Sequence, residues 1–381
     1  MTQYLYYIRL LKPPPNVIVP GQQFSIVWTI DNDLGEMPFL QPLSVTCHLL
    51  SNNPATRFAS TSSKSIKLEY DPYKGGGMVR SNLTITGTLQ HPLQQQIQLV
   101  LTCSNNNSIK TGSSTHSTWY LAQQASDDTW IIPVWSQPVH LGRSSDMETS
   151  RECERQLIVG PDNKIVKIHE STSHTMAHHV WDCGIWLCHY LAHYTPTKQY
   201  NHVLELGKCW CLVFVHTCTN TLLTSTGSGT AIAGIYAAHA LSPTCMYLTD
   251  LPEAVSSIQG NVDIQQWDNH QRVVVEALEW GQDGQQVMDN EELDLVIISD
   301  LLYNQSSHDV LIDTLKRLMD RHSGLQTLLI YKPRYPNEER AFFDKIQKLG
   351  WRCTMDTTTV DCSPCEVYWI DIGEKKGCSL C

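Results

Sequence analysis

No run in this 381-residue chain is long and apolar enough to form a membrane-spanning helix. The longest apolar run, Cys209 to Val215, falls far short of the ~18 residues such a helix needs. An N-terminal hydrophobic signal is also missing, since Met1 to Leu11 is short and interrupted by polar residues. Positive charge is in deficit: 27 Lys and Arg stand against 38 Asp and Glu, a net charge of −11. Such a chain is a poor candidate for non-specific nucleic-acid binding, although a local RNA patch is compatible with it. There are no internal repeats. Without a signal, the fourteen cysteines read as reduced thiols of a cytoplasmic protein, with the nucleus also open to it. The sequon Asn82-Leu83-Thr84 then reads as chance. What is present is a 41% apolar share, enough for ordinary cores, and a length that suggests two or three domains.

Residues 1–125 read as an all-β sandwich. Strand-like runs occur at Tyr4–Arg9, Gln23–Ile30, Leu43–Leu50, Ser65–Tyr70, Met78–Thr86, Gln95–Cys103 and Thr118–Ala122. Turn clusters separate them, among them Pro13-Pro14-Pro15, Gly75-Gly76-Gly77 and Asn105-Asn106-Asn107. Cys47, Cys103 and Trp28 are similar to an immunoglobulin-like core, although a cysteine is often just a small buried hydrophobe. No catalytic cluster stands out here, so binding or scaffolding is the default. Residues 126–155 are polar and mixed, and read as a linker.

From Gln156 the texture changes. A hairpin is expected around Gly160-Pro161-Asp162-Asn163, and then a helix carrying Trp181, Ile185, Cys188 and Leu191. From Val203 strands and helices alternate to the end, which predicts a mostly parallel sheet covered on both faces. The strands are Val203–Leu206, Met246–Thr249, Val273–Ala277, Leu295–Ser299, Thr327–Tyr331, Trp351–Met355 and Val367–Ile372. The helices are Thr230–Leu241, Pro252–Trp267, Ser307–His322 and Asn337–Leu349, the last stopped by Gly350.

Chemistry gathers at the carboxyl ends of these strands. The first strand ends Glu205-Leu206-Gly207, and a glycine turn, Gly227-Ser228-Gly229, opens the next helix. Joined, they would form the tight loop that brings backbone amides up to a nucleoside cofactor. About twenty residues, Lys208 to Gly227, separate them. Asp250, at the tip of the second strand, can accept hydrogen bonds from ribose hydroxyls; its bland reading is a helix N-cap. Trp280, after the third strand, can stack on adenine; its bland reading is a core tryptophan. Ser299, Asp300 and Tyr303 emerge where the fourth strand ends.

Taken together, residues 156–373 of a domain that spans 156–381 resemble the seven-strand lysine methyltransferases, the family that modifies chaperones, the p97-type ATPase and elongation factors. The matching pieces are Val180-Trp181-Asp182, Val203-Leu204-Glu205-Leu206-Gly207, Gly227-Ser228-Gly229-Thr230, Leu248-Thr249-Asp250, Glu279-Trp280-Gly281, Asp300-Leu301-Leu302-Tyr303 and Tyr331-Lys332-Pro333-Arg334. The resemblance implies a Rossmann-like seven-stranded sheet and S-adenosylmethionine as cofactor. It implies cofactor contacts from Trp181, Glu205, Gly207, Gly227, Ser228, Gly229, Asp250, Trp280 and Ser299. Asp300 and Tyr303 would face the target amine. The expected partner is a protein substrate of the chaperone, ATPase or translation-factor type, with no membrane and no nucleic acid.

Methyl transfer from a sulfonium needs a neutral amine held in line and no metal. A free lysine titrates at about 10.4, so the site must desolvate the amine or accept its proton. Cys362-Ser363-Pro364-Cys365 and Cys378-Ser379-Leu380-Cys381 have a zinc-like spacing, but a good strand lies between them, so no metal is expected. His174, His178 and His179 read as a polar loop. Competing functions remain. The interrupted glycine loop fits an impaired methyltransferase-fold binding module. A small-molecule or RNA methyltransferase is disfavoured by Asp-x-x-Tyr in place of an Asn/Asp-Pro-Pro-Tyr motif. Segment 208–227 itself, rich in Thr and Cys, reads as a translated intron or as a true surface loop.

Overall fold

A computed structural model describes residues 3–51, 53, 55–87, 96–103, 123–126, 129–144, 146–172, 178–207, 229–281, 292–357 and 363–373. Two units divide the chain, Met1–Thr175 and Met176–Cys381.

Period-two alternation builds the first unit. In Leu43–Ser51 the side chains of Val45, Cys47 and Leu49 are buried, while those between them face outward or half outward. One sheet runs Arg57–Phe58, Val79–Thr86, Gln23–Asp31, Tyr4–Lys12, Thr129–Ile132, Gln123–Ser126. A second runs Asp146–Thr149, Pro15–Ile18, Val139–Leu141, Gln96–Cys103, Val134–Ser136, Glu152–Val159, Lys164–Ser171; Leu43–Ser51 pairs with Gln96–Cys103 and carries Ser65–Tyr70. Ile26, Trp28 and Ile30 from the first sheet and Val45, Leu99 and Leu101 from the second share one apolar cluster.

Three expectations change here. Residues 126–155 are not a linker: Thr129–Ile132 joins one sheet and Val134–Ser136 the other. These strands are short and broken by Pro133 and Pro138, so no long alternating run advertises them. The hairpin Glu152–Val159/Lys164–Ser171 pairs with Val134–Ser136 and so belongs to the first unit. Cys47 and Cys103 lie on neighbouring strands of one sheet, with Val45 opposite Cys103, and do not span the two sheets as an immunoglobulin-like pair would. Both are buried free thiols; burial pushes Cys47 up to about 12. The predicted strand at Thr118–Ala122 lies outside the described residues.

The second unit follows the predicted alternation closely. Its strands are β1 (His202–Leu206), β2 (Cys245–Asp250), β3 (Arg272–Ala277), β4 (Leu295–Ser299), β5 (Gln326–Tyr331), β6 (Arg352–Met355) and β7 (Glu366–Asp371). They lie in the order β3-β2-β1-β4-β5-β7-β6. The first five are parallel, and β7 runs antiparallel to both its neighbours. Helices α1 (Asp182–His193), α2 (Ile232–Leu241), α3 (Pro252–Asp263), α4 (His308–Arg321), α5 (Pro336–Glu339) and α6 (Ala341–Lys348) connect or flank them. The last predicted helix is thus two pieces. Gly350, at φ +76°, ends the second, its N–H donating to the Gln347 carbonyl at 2.9 Å. On one face Leu204, Leu206 and Ile298 pack with Leu311 and Leu315 of α4 and Phe342 and Ile346 of α6. Chain order reverses between β1 and β4, which opens a crevice at their carboxyl ends.

Candidate active site

Alternation along β1 sends Leu204 and Leu206 into the α4 face and Glu205 to the opposite face, beside Gly234 of α2. The Glu205 side chain is buried, and neither oxygen has a hydrogen-bond partner among the described residues. Burial first, and the charge of Asp250 second, push its carboxyl up to about 8; the nearby Gly234 N–H draws it back slightly without hydrogen-bonding geometry. A buried carboxyl with no partner is costly unless a cation or donor meets it. S-adenosylmethionine, with a sulfonium and an ammonium group, is a ligand of the right charge, so the residues present fit it.

Asp250 closes β2. Its Oδ1 accepts the Leu251 N–H at 2.7 Å, and its Oδ2 accepts the Gly229 N–H at 3.2 Å. A Cβ on Gly207 would run into the Thr249 carbonyl and the Asp250 carboxylate, so only glycine fits there. Gly207 and Gly229, the two flanks of the interrupted loop, therefore meet at one carboxylate. Gly227, Ser228 and segment 208–227 lie outside the described residues. Past Gly229, the Thr230 carbonyl accepts from Asn261 of α3 at 3.0 Å, and Ala231 turns into α2 with φ +52°.

Trp181 is the N-cap residue of α1, half-buried, and its indole N–H has no partner among the described residues. Trp280 is deeper: only 4% exposed, it belongs to the apolar cluster with Leu278 and Leu311, and its indole N–H is likewise unpartnered there. Ser299, half-buried, ends β4.

Asp300 follows in the left-handed region at φ +58°, its N–H donating to the Ile330 carbonyl at 2.9 Å. Aspartate is among the few residues that tolerate this conformation. Its carboxylate is forked by Arg334, Nη1 to Oδ1 at 2.7 Å and Nη2 to Oδ2 at 2.9 Å. Tyr303 stands half-buried in the turn after it. Two residues before Arg334, Lys332 reaches across to buried Asp182, the first residue of α1, at 2.7 Å. That contact ties the helix bearing Trp181 to the end of β5.

The stretch Tyr331-Lys332-Pro333-Arg334 gives neither cation a task when read in the sequence alone. The readable signal was two cations around a proline at the carboxyl end of a parallel strand, the edge at which the acids Asp182 and Asp300 arrive. Cys365, from the first cysteine pair, is buried with its Sγ 3.7 Å from Cys183 Sγ of α1. Cys362, Cys378, Cys381 and His174 lie outside the described residues. Among the described residues no helix is long and apolar enough to cross a membrane.

The sequence matches known proteins. Residues 161–349 match the family described as lysine methyltransferase. The UPF0665 family protein C23C4.06c of Schizosaccharomyces pombe is 27% identical over 374 residues, covering 95% of this chain and 98% of that one. The protein N-terminal and lysine N-methyltransferase EFM7 of Kluyveromyces lactis is 28% identical over 198 residues, 45% of this chain and 65% of the relative. The EEF1A lysine methyltransferase 3 of Xenopus tropicalis is 28% identical over 199 residues, 52% of this chain and 76% of that protein.

Proposed function

We propose that this chain, whose residues 161–349 belong to the lysine methyltransferase family, methylates the side-chain amine of a lysine in a protein substrate, with S-adenosylmethionine as methyl donor. The observation that carries the reading is the meeting, on one sheet edge, of the Gly207–Asp250–Gly229 contact and the Asp300–Tyr303 turn. The bound cofactor supplies a methyl group on a positively charged sulfur. The chain's own residues do the rest. Glu205 offers a buried carboxyl, held protonated near neutral pH in the free chain, that a cationic ligand can ionise. Gly207 and Gly229 leave the strand ends bare of side chains, so that backbone and the Asp250 carboxylate line the cofactor side. Trp181 offers an indole at the start of α1. Asp300 and Tyr303 offer an acceptor and a hydroxyl to orient an amine. Trp280 is read as a cofactor neighbour through the wall it forms.

The substrate is proposed from the relatives' names: a translation elongation factor, at a lysine or, as with EFM7, at the N-terminal amine. The impaired-module reading is not favoured, because the lysine methyltransferase relatives are enzymes and the flanks of the interrupted loop still converge. Incubating the full chain with tritiated S-adenosylmethionine, recombinant elongation factor 1A and a cell lysate tests the proposal. Label on a protein amine, mapped by mass spectrometry, is the expected result; label confined to RNA or small molecules would overturn it.

A further inference from the structure

We infer that Arg334 is a positioning residue that sets the charge Asp300 presents to the incoming amine. This rests on the reading that Asp300 faces that amine. Each guanidinium nitrogen takes a separate carboxylate oxygen, at 2.7 and 2.9 Å, the paired geometry that lysine cannot copy. The pair is largely covered but not sealed, its side chains 15% and 13% exposed. The Arg334 N–H is itself held by both oxygens of buried Glu339, at 3.1 and 3.0 Å. Asp300 is fixed at its backbone by Ile330. Both partners are thus anchored at the backbone.

The consequence is chemical. A carboxylate has about four acceptor positions, and the fork uses two. The remainder can still receive an amine N–H. Paired with a guanidinium, however, Asp300 contributes no net charge. Left unpaired, it would favour the ammonium form of the substrate and raise its pKa, by about one to three units for a close opposite charge. An ammonium has no lone pair with which to react. In the transfer the amine nitrogen forms the N–C bond as the C–S bond breaks, sulfur leaves as a neutral thioether, and the surplus proton on nitrogen passes to water. Arg334 thus keeps Asp300 an orienting acceptor and stops it becoming a trap for the unreactive form. Among the described residues, Cys183 of α1 and Glu339 of α5 also act on the pair, each pushed up by burial. Beside them lies the closed Lys332–Asp182 pair.

The test measures kcat and KM of the full chain against pH, on the protein that the parental chain labels in lysate. The variants are Arg334→Met, Arg334→Lys, Asp300→Asn and the double variant Arg334→Met/Asp300→Asn. Arg334→Met is expected to lower KM, to lower kcat about tenfold or more near neutral pH, and to move the rising limb of kcat up by about one unit or more. Arg334→Lys, which keeps the charge, should hold the limb near its parental position. In the Asp300→Asn background the Arg334→Met change should move nothing. Calorimetry should show unchanged S-adenosylmethionine affinity throughout. An unmoved limb in Arg334→Met overturns the inference, whether or not its melting temperature falls. So does an equal shift in the Asp300→Asn background, or a loss of cofactor affinity. Parental rates in Asp300→Asn would instead remove the assigned role of Asp300. A parental chain that labels nothing would remove the methyltransferase reading, and the inference with it.

Discussion

Arg155 in the first unit and Arg334 in the second each close on a carboxylate, and the surroundings of the two pairs differ in nearly every respect. Arg155 and Glu170 are each 1% exposed at their side chains. Nε reaches Glu170 Oε1 at 2.7 Å, while Nη1 donates to the Ile132 and Pro133 carbonyls at 3.2 and 2.6 Å, and the guanidinium lies 5.6 Å from the Tyr7 ring. That arginine is consumed by the sandwich around it. Arg334 spends its fork on one partly exposed aspartate at a strand end. A buried pair of the first kind stabilises a fold only as a whole, since removing one partner strands the other. A pair of the second kind has acceptor positions left over for something that arrives. The difference assigns structure to one arginine and chemistry to the other.

The largest effect expected from breaking this comparison is on the structural side. Arg155→Met should destabilise the first unit by ~3–5 kcal/mol by taking the guanidinium from the buried Glu170 carboxylate, read as a lower denaturant midpoint. Against that loss Glu170 keeps the weak Cys153 thiol donor at 3.5 Å and the more distant charge of Arg9. A loss under about 1 kcal/mol would mean that Glu170 finds other partners. On the chemical side, Asp300→Ala should lower kcat by about 10²–10³, the scale for removing one well-placed polar group from a transition state. Its melting temperature should fall, since alanine at φ +58° is strained and Arg334 loses its partner, whereas Asp300→Asn tolerates the backbone and separates that cost from the loss of the acceptor. A rate within a few-fold of parental would take Asp300 out of the reaction.

A subtler distinction concerns Glu205, whose folded-state carboxyl titrates at about 8 against 4.5 ordinarily. Between those two values the folded chain holds a proton that the unfolded chain has lost. Its stability should therefore fall as pH rises through that window, by at most about 1.4 kcal/mol per unit, and Glu205→Gln should flatten the slope. If a cationic ligand favours the ionised form, S-adenosylmethionine should bind more tightly as pH rises towards 8. Parallel stability profiles for parental and Glu205→Gln chains would show that the group is not buried unpaired. The smallest effect is expected from removing 208–227. Closure entropy changes by only ~0.6 kcal/mol per doubling of loop length, and Gly207 and Gly229 already meet at Asp250. Cofactor affinity should then change less than about fivefold. A much larger gain by calorimetry would show that the insertion does obstruct the site.

Much of the second unit was legible because its strands and helices announce themselves by period and by glycine. All seven strands lie within a residue of their predicted bounds, and Gly350 stops its helix as a glycine should. The first unit was less legible. Its short strands around Pro133 and Pro138 gain their place only by pairing with strands far away in the chain, so 126–155 looked like a linker. Cys47 and Cys103 suggested a pair across two sheets, because spacing along the chain cannot say which sheet a strand joins. By itself the sequence determined the alternating architecture, the acids and glycines at the strand ends and the lysine methyltransferase resemblance, since local period and residue type suffice for these. Only the tertiary structure decided that Arg334 forks Asp300, that Lys332 reaches Asp182, and that Gly207 and Gly229 share one carboxylate. Those contacts join residues 34, 150 and 21 positions apart or more, and such partners are chosen by the sheet order that brings strand ends together.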